Sequence, residues 1–364
     1  MPATRKPRPT DSEAQTGPPD TRRFQRALLA WYDTNKRDLP WRRTRDPYAI
    51  WLSEIMLQQT RVAAVLEHYR IFLGRFPSIE HLAAAAEDDV LAAWSGLGYY
   101  RRARMLHRCA RELAAHRNSQ FPQAAAALLE LPGIGRYTAA AIASIAFAEP
   151  VAVVDGNVER VLRRVHAANL TSASTWQHAQ ALLPQSRPGD FNQAMMELGA
   201  TVCLPRDPQC HLCPVQALCA TGIREISKKG SGLAQLEPPR AIPQIKREIW
   251  CALDRRNGQI RLVKRPQHSS LMPGMWEIPQ LPKAPNGSAA AAKWRTFRHS
   301  ITVTNYTVHV LRNPKTKLRS QSAPNSSAKL GVPKAQAKWI PIKSIPQLPI
   351  TGLARKILQA EGII

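Results

Sequence analysis

Four of the six cysteines, Cys203, Cys210, Cys213 and Cys219, fall within seventeen residues, where the hydrophobic pattern of the chain changes character. The other two, Cys109 and Cys251, stand alone in helix-like and strand-like surroundings. That distribution describes a metal site rather than a set of oxidised staples. The spacing C-x6-C-x2-C-x5-C contains one close pair, whereas zinc folds usually show two. Four thiolates in one compact loop also suit a cubane iron–sulfur cluster. On spacing alone, both metals stay open.

Ahead of this loop, from about residue 21 to 220, the periodicity is helical. Phe24, Leu28, Trp31 and Tyr32 follow i, i+4, i+7, i+8, and Val62, Leu66, Tyr69 and Leu73 follow i, i+4, i+7, i+11. Asp190 is predicted to cap an amphipathic helix of Phe191, Met195, Leu198 and Val202 that runs straight into Cys203. Past Cys219, residues 221–245 carry glycine, proline and lysine without periodicity and read as a linker. EIWCALD and IRLVKR then predict a hairpin with Asn257-Gly258 at its tip. ITVTNYTVHVL predicts a strand with Tyr306, Val308 and Val310 on one face, 312–336 a mobile loop, and GLARKILQA a short helix. The expected organisation is a disordered tail (1–20), an all-α domain (21–202), the cysteine loop (203–220), the linker (221–245) and a smaller α+β domain (246–364).

The formal charge of +25, with a pI near 10.5, is spread along the whole chain. Arginines cluster at Arg42, Arg43 and Arg45, at Arg101, Arg102 and Arg104, and at Arg160, Arg163 and Arg164. A solvated charged surface is the plain reading; a surface that releases counterions from a polyanion is the functional one, and it favours nucleic acid. No apolar run approaches the length of a membrane span. The first twenty residues are polar and proline-rich and lack the apolar core of a signal peptide, so the expected setting is intracellular, in the cytoplasm with the nucleoid.

Three stretches carry candidate chemistry. In LPGIGRYTA (131–139), Gly133 and Gly135 allow a sharp turn, and the amides opening the next helix favour a single phosphate. A plain turn in which the glycines only cap is equally compatible. In VAVVDGNVERVLRR, Asp155 sits at the start of a helix whose buried face is Val158, Val161, Leu162 and Val165. It reads either as an N-cap or as a fixed negative charge that stabilises a developing sugar cation. In WLSEIMLQQTRV, Glu54 lies among Leu52, Ile55, Met56 and Leu57. Burial there raises a carboxyl pKa and suits a general acid, although a surface glutamate is the default on any helix. Gln58 and Gln59 follow it, with flat uncharged side chains able to fill a gap in a base stack.

Taken together these segments resemble the helix-hairpin-helix superfamily of DNA glycosylases, and the cysteine spacing resembles the iron–sulfur loop of its endonuclease III-like branch. Within that branch the chain is most similar to the MutY adenine DNA glycosylases: WLSEIMLQQTRV, GLGYYRRAR, LPGIGRYTAAAIAS, VDGNVERVLRR and FNQAMMELGATVC match its signature segments. The likeness is dense over about 22–220 and looser beyond.

The resemblance implies a monofunctional glycosylase of base excision repair that hydrolyses adenine from mispairs with 8-oxoguanine or guanine in double-stranded DNA, acting as a monomer with a [4Fe-4S] cluster on Cys203, Cys210, Cys213 and Cys219. Glu54 matches the acid that protonates the leaving base, Asp155 the carboxylate that stabilises the sugar cation, and Asn157 its orienting partner. Gln59 and Tyr99 match residues that wedge into the duplex; Gly133, Gly135 and Arg42 are expected DNA contacts. Tyr137 occupies the position where lyases of the superfamily carry a Schiff-base lysine, which a phenol cannot replace; it is expected to help position Asp155. Residues 246–364 resemble a Nudix-like domain that inspects 8-oxoguanine, without the acidic helix of a working hydrolase. Phe297-Arg298-His299-Ser300 departs from the usual Phe-Ser-His, leaving His299 or Ser300 as the expected contact, or both as parts of a strand edge. Two other readings stand beside this one: a bifunctional pyrimidine-lesion glycosylase/lyase, and a silent lesion-binding scaffold.

Overall fold

The structure is a computed structural model that describes residues 20–227, 243–281, 293–312 and 337–364. The expected tail, the loop at 313–336 and most of the expected linker lie outside the described residues. The helices are α1 (Thr21–Asn35), α2 (Pro47–Leu57), α3 (Val62–Arg75), α4 (Ile79–Ala84), α5 (Glu87–Ala93), α6 (Arg101–His116) and α7 (Ala125–Leu128). There follow α8 (Arg136–Phe147), α9 (Gly156–His166), α10 (Ser172–Leu182), α11 (Pro188–Thr201), α12 (Ala220–Ser227) and α13 (Gly352–Ala360). Helix α12 occupies the first residues of the stretch read as linker. Two compact units emerge: described residues of Met1–Ile50, Pro122–Glu130 and Ile134–Leu236 form one, and those of Trp51–Phe121, Leu131–Gly133 and Glu237–Ile364 the other.

The first unit is helical. Its core joins Phe24, Leu28 and Tyr32 of α1, Val158, Val161, Leu162 and Val165 of α9, and Phe191, Met195 and Leu198 of α11. The stripe expected on α9 is the one buried. Helix α11 starts earlier than its sequence suggests: Pro188 opens it, with Arg187 as the preceding cap residue. Asp190 therefore lies in the first turn rather than at the cap, where it pairs with Arg187 at 2.9 Å and with Arg45 at 3.6 Å. Gly199 brings α11 against the start of α9, because a Cβ there would stand 2.6 Å from Asn157 Cβ.

The same helix carries Glu197, whose side chain is fully buried. It accepts hydrogen bonds from Arg37 Nε (2.8 Å) and Nη2 (2.7 Å), the Arg37 amide (3.0 Å) and Arg42 Nη2 (2.7 Å). Burial opposes its ionisation, but the arginine hydrogen bonds prevail and hold its pKa down at about 2. Arg42, an expected DNA contact, has a side chain 10% exposed, paired with Glu197 and set over the Tyr32 ring at 5.5 Å.

In the second unit α3 buries Val65, Tyr69 and Phe72, one strip round from the expected face, and Leu66 is exposed. The aromatic edges decide this: Phe72 meets Phe76 at 4.9 Å and Trp94 at 5.9 Å. The C-terminal part is α+β. Its strands are β1 (Ile245–Leu253), β2 (Arg255–Arg256), β3 (Gln259–Lys264), β4 (Trp276–Glu277), β5 (Gln280–Leu281), β6 (Lys293–Ile301), β7 (Thr304–Arg312) and β8 (Ala337–Pro341). One sheet runs β5-β1-β7-β6; the other runs β2-β3-β4, with β8 also on β3.

The expected hairpin shrinks to β2 and β3 around Asn257-Gly258, both at positive φ. Strand β1 pairs parallel to β7 instead. Similarly, ITVTNYTVHVL is the turn of a β6–β7 hairpin plus β7, with Val308 and Val310 in the core beside Cys251 and Ile357. Residues 51–121, expected to belong with the other helices, group with this region. Ser95 Oγ and Tyr100 OH both donate to the Ile350 carbonyl, at 3.0 and 3.1 Å, and Lys264 pairs with Asp88 at 2.8 Å. Among the described residues no helix is long and apolar enough to cross a membrane.

Of the two hairpin glycines, Gly133 is the constrained one. Its φ is 78°, and a Cβ there would lie 2.7 Å from Met105 Cβ. Gly135 is extended, precedes α8 as its N-cap and would meet nothing within 4 Å. Gly133→Ala should therefore cost about 1–2 kcal/mol from backbone strain alone, read as a lower thermal midpoint, while Gly135→Ala shifts it far less. Glu197→Ala should cost about 3–5 kcal/mol, because two guanidinium groups lose their buried partner. The Glu197 contribution is present above the ordinary carboxylate pKa and is lost as pH falls towards 2. Acid melts of wild type and Glu197→Gln should therefore converge at low pH.

Candidate active site

Asp155 is the residue on which the site in the helical unit is built. The run Ala152–Val153, fully buried, delivers it to the start of α9, where Oδ1 accepts from the Val158 amide at 2.7 Å. The N-cap role is thus real, and it leaves the second oxygen for other work. Oδ2 accepts from Asn157 Nδ2 at 2.9 Å. Asn157 Oδ1 in turn accepts from Arg160 Nη2 at 2.9 Å, and Arg160 continues to the Gly199 carbonyl (2.6 Å) and the Cys203 carbonyl (2.9 Å). Asp155 and Asn157 are brought together as the sequence suggested, and Arg160 links them to the cysteine loop.

Tyr137 lies in the first turn of α8, packed against Ile50, Ala140, Ala141, Ile145 and Val153. Its hydroxyl donates to Met196 Sδ at 3.4 Å. The Asp155 oxygens accept from the Val158 amide and from Asn157.

Cys203, Cys210, Cys213 and Cys219 line one cavity, closed on the helix side by Val161, Val165, Leu198 and Val202. None of the four is in a disulfide. Burial, then the neighbouring sulfurs, raises the Cys219 thiol pKa, and Cys213 is pushed up to about 12. Donors point at the sulfurs: Arg164 Nη1 stands 3.1 Å from Cys203 Sγ, and the Gly222 amide 3.4 Å from Cys219 Sγ. No group of three or more His, Cys, Asp or Glu among the described residues is arranged to hold a metal ion.

In the second unit Glu54 is 6% exposed on α2, where every residue from Tyr48 to Met56 is buried. A carboxyl flanked by Leu52, Ile55 and Met56 at 0–5% exposure is costly to leave charged. Gln59 and Tyr99 are both exposed and both left-handed, with φ of 56° and 46°. Such conformations are uncommon for residues with a Cβ and collect at functional positions. Arg102 Nη1 and Nη2 reach the turns that carry both residues. His299 and Ser300 are neighbours on β6 and so point to opposite faces. The His299 ring lies near Gly352 at the start of α13, and burial followed by Lys356 lowers its pKa. Ser300 donates to Asn305 at 2.6 Å.

Arg102 and Arg160 stand among the arginines read as a polyanion surface, and the sequence reading assigns neither their inward contacts nor any part to Glu197. Arg160 stands three residues after Asn157 on one helix face, a spacing that could have flagged it; Glu197 in the apolar run MMELGA was a second such signal.

Residues 52–185 match the model of the HhH-GPD superfamily base excision DNA repair proteins. Over 318 residues the chain is 41% identical to a human (Homo sapiens) protein named adenine DNA glycosylase, covering 72% of this chain and 58% of that protein. An Arabidopsis thaliana protein of the same name is 39% identical, with coverage of 72% and 48%. The chain thus spans about half the length of these curated relatives. Among solved structures, a thermostable thymine-DNA glycosylase is 32% identical with a TM-score of 0.53, over 56% of this chain and 97% of that one. A non-covalent endonuclease III–DNA complex, at 23% identity and a TM-score of 0.50 over 57% of this chain and 97% of that one, shares the fold. The chain belongs to the HhH-GPD superfamily of base excision DNA repair proteins.

Proposed function

We propose that this protein hydrolyses the N-glycosidic bond of adenine mispaired with 8-oxoguanine or guanine in double-stranded DNA and leaves the strand intact. The observation that carries the reading is the Asp155 carboxylate, capping α9 with one oxygen while Asn157 holds the other. The name shared by the curated relatives supplies the base. Glu54, buried on α2, donates a proton to the adenine ring, so that the base departs with the bonding electron pair. The sugar is left as an oxocarbenium-like cation, and the negative charge of Asp155 stabilises it. Water then attacks the anomeric carbon, and its proton passes to a carboxylate base. Tyr137 places a phenol where a lyase would need an amine, so no Schiff base forms and the product is an abasic site.

Gln59 and Tyr99, exposed on their turns, are suited to support the gap left when adenosine leaves the stack. The Gly133–Gly135 turn and the first amides of α8 are suited to one backbone phosphate. In this reading the C-terminal module inspects the base opposite adenine. His299 faces α13 and Ser300 is engaged with Asn305, so a single contact from this pair, from one face of β6, is the most they supply together.

The four cysteines are read as the ligands of a [4Fe-4S] cluster, although as placed here they form no metal-holding group among the described residues. They line one cavity, form no disulfide, and two of them, Cys203 and Cys219, receive hydrogen bonds from Arg164 and Gly222, donors of the kind that stabilise thiolate ligands. When bound, the cluster would tie the 203–219 loop to the helices around it.

An oligonucleotide duplex with adenine opposite 8-oxoguanine tests the reaction. Free adenine, with strand breakage only after alkali, is the expected result; breakage without alkali would indicate a lyase, and no release a scaffold. Glu54→Gln should slow release by about a thousandfold while duplex affinity stays near wild type, and full activity in that variant sinks the mechanism. Iron analysis should find about four iron atoms per chain with a broad brown absorbance. Cys213→Ser should lower both, and stoichiometric zinc in their place would refute the cluster.

A further inference from the structure

Arg102 is the residue of the second unit whose work no sequence feature announced. Its Nη1 donates to the carbonyls of Ile55 (2.6 Å), Met56 (2.9 Å) and Gln58 (2.5 Å). Its Nη2 donates to Thr60 Oγ1 (3.0 Å) and to the carbonyls of Leu97 and Gly98, both at 3.4 Å. The guanidinium lies 5.4 Å from the centres of both the Trp94 and the Tyr99 rings. Its buried Nε has no acceptor among the described residues. Burial lowers its pKa to about 10, which still leaves it charged at neutral pH.

Those acceptors belong to three places. Ile55 and Met56 are the last-turn carbonyls of the helix that carries Glu54, groups that a helix end leaves without partners. Gln58 and Thr60 flank Gln59, and Leu97 and Gly98 lead into Tyr99. Gln59 and Tyr99 are each exposed and each held at positive φ, a state that costs about 1–2 kcal/mol unless the surroundings enforce it. One planar fork of donors therefore holds two strained, solvent-facing residues in a fixed relation to each other and to the end of α2. An ammonium group, a point charge without the fork, cannot span acceptors spread over both turns.

We propose that Arg102 is a positioning residue that sets Gln59 and Tyr99 as one unit for insertion into the DNA duplex. The inference deepens the proposed function, since it rests on the reading of these two residues as a wedge.

A double-mutant cycle tests it, using the full chain and the duplex with adenine opposite 8-oxoguanine. Arg102→Lys, Tyr99→Ala and the double variant are compared for single-turnover base release and for duplex affinity. If Arg102 acts through Tyr99, the loss caused by Arg102→Lys in wild type should shrink by at least about fivefold in the Tyr99→Ala background. Losses that simply multiply, in release and in affinity alike, overturn the proposal, as does wild-type behaviour of Arg102→Lys. Thermal melts establish that each variant is folded. Should Arg102→Lys not fold, Thr60→Val, which removes one acceptor and keeps the guanidinium, takes its place under the same criterion. Affinity needs no base release, so an inactive wild type would refute the function reading alone, whereas additive affinities refute the role of Arg102.

Discussion

The first turn of α9 carries the constraint on which the helical unit depends. Asp155 must close the helix, so its backbone and one oxygen are fixed by the Val158 amide, and the other oxygen is then aimed by Asn157. Asn157 keeps its place because Gly199 lets α11 come close, where a methyl group would collide with it. Arg160 and Arg164, one helical turn apart, reach past this contact to the carbonyls of Gly199, Cys203, Leu204 and Pro205. A loop that folds no sheet or helix over these carbonyls needs such donors. The cap, the candidate catalytic carboxylate and the cysteine loop are thus one hydrogen-bonded assembly.

Guanidinium groups used inward recur through the molecule and alter the meaning of its charge. Of the arginines whose clustering suggested a polyanion surface, Arg42 is committed to Glu197, Arg104 to Glu87 and the Pro273 carbonyl, and Arg102, Arg160 and Arg164 mainly to backbone carbonyls. Net charge is a long-range quantity, and its sign still favours an anionic partner. It does not identify the residues that meet that partner, because a guanidinium fork satisfies buried carbonyls as readily as phosphates. Clustering in sequence says nothing about which of the two a given arginine does.

The faces that sequence periodicity predicted well are those with a single apolar stripe. Phe24, Leu28 and Tyr32 on α1 and Val158, Val161, Leu162 and Val165 on α9 are buried as expected, because no competing face exists. Helix α3 has apolar residues on more than one side, and Trp94 and Phe76, distant or beyond its end, chose Phe72 over Leu73. The β1–β7 pairing was invisible for a related reason: a turn signal at Asn257-Gly258 is local, while a parallel partner about sixty residues away is not. The turn forms, but only Arg255-Arg256 pair across it with β3, while EIWCALD pairs with β7.

The sequence alone determined the parts whose chemistry is local. It marked Asp155 at a helix start, Glu54 inside an apolar run, a turn that demands Gly133, a phenol at Tyr137, and four thiols within one loop. Each follows from neighbours a few residues away. Tertiary structure alone decided what holds those parts. Asn157 against Gly199, Arg160 on the cysteine loop, Arg42 beneath Glu197, and Arg102 between the turns of Gln59 and Tyr99 are contacts between segments far apart in the chain. Such contacts follow from burial: a carbonyl or carboxylate removed from water takes whichever donor the fold brings within reach, and the order of residues does not say which that will be.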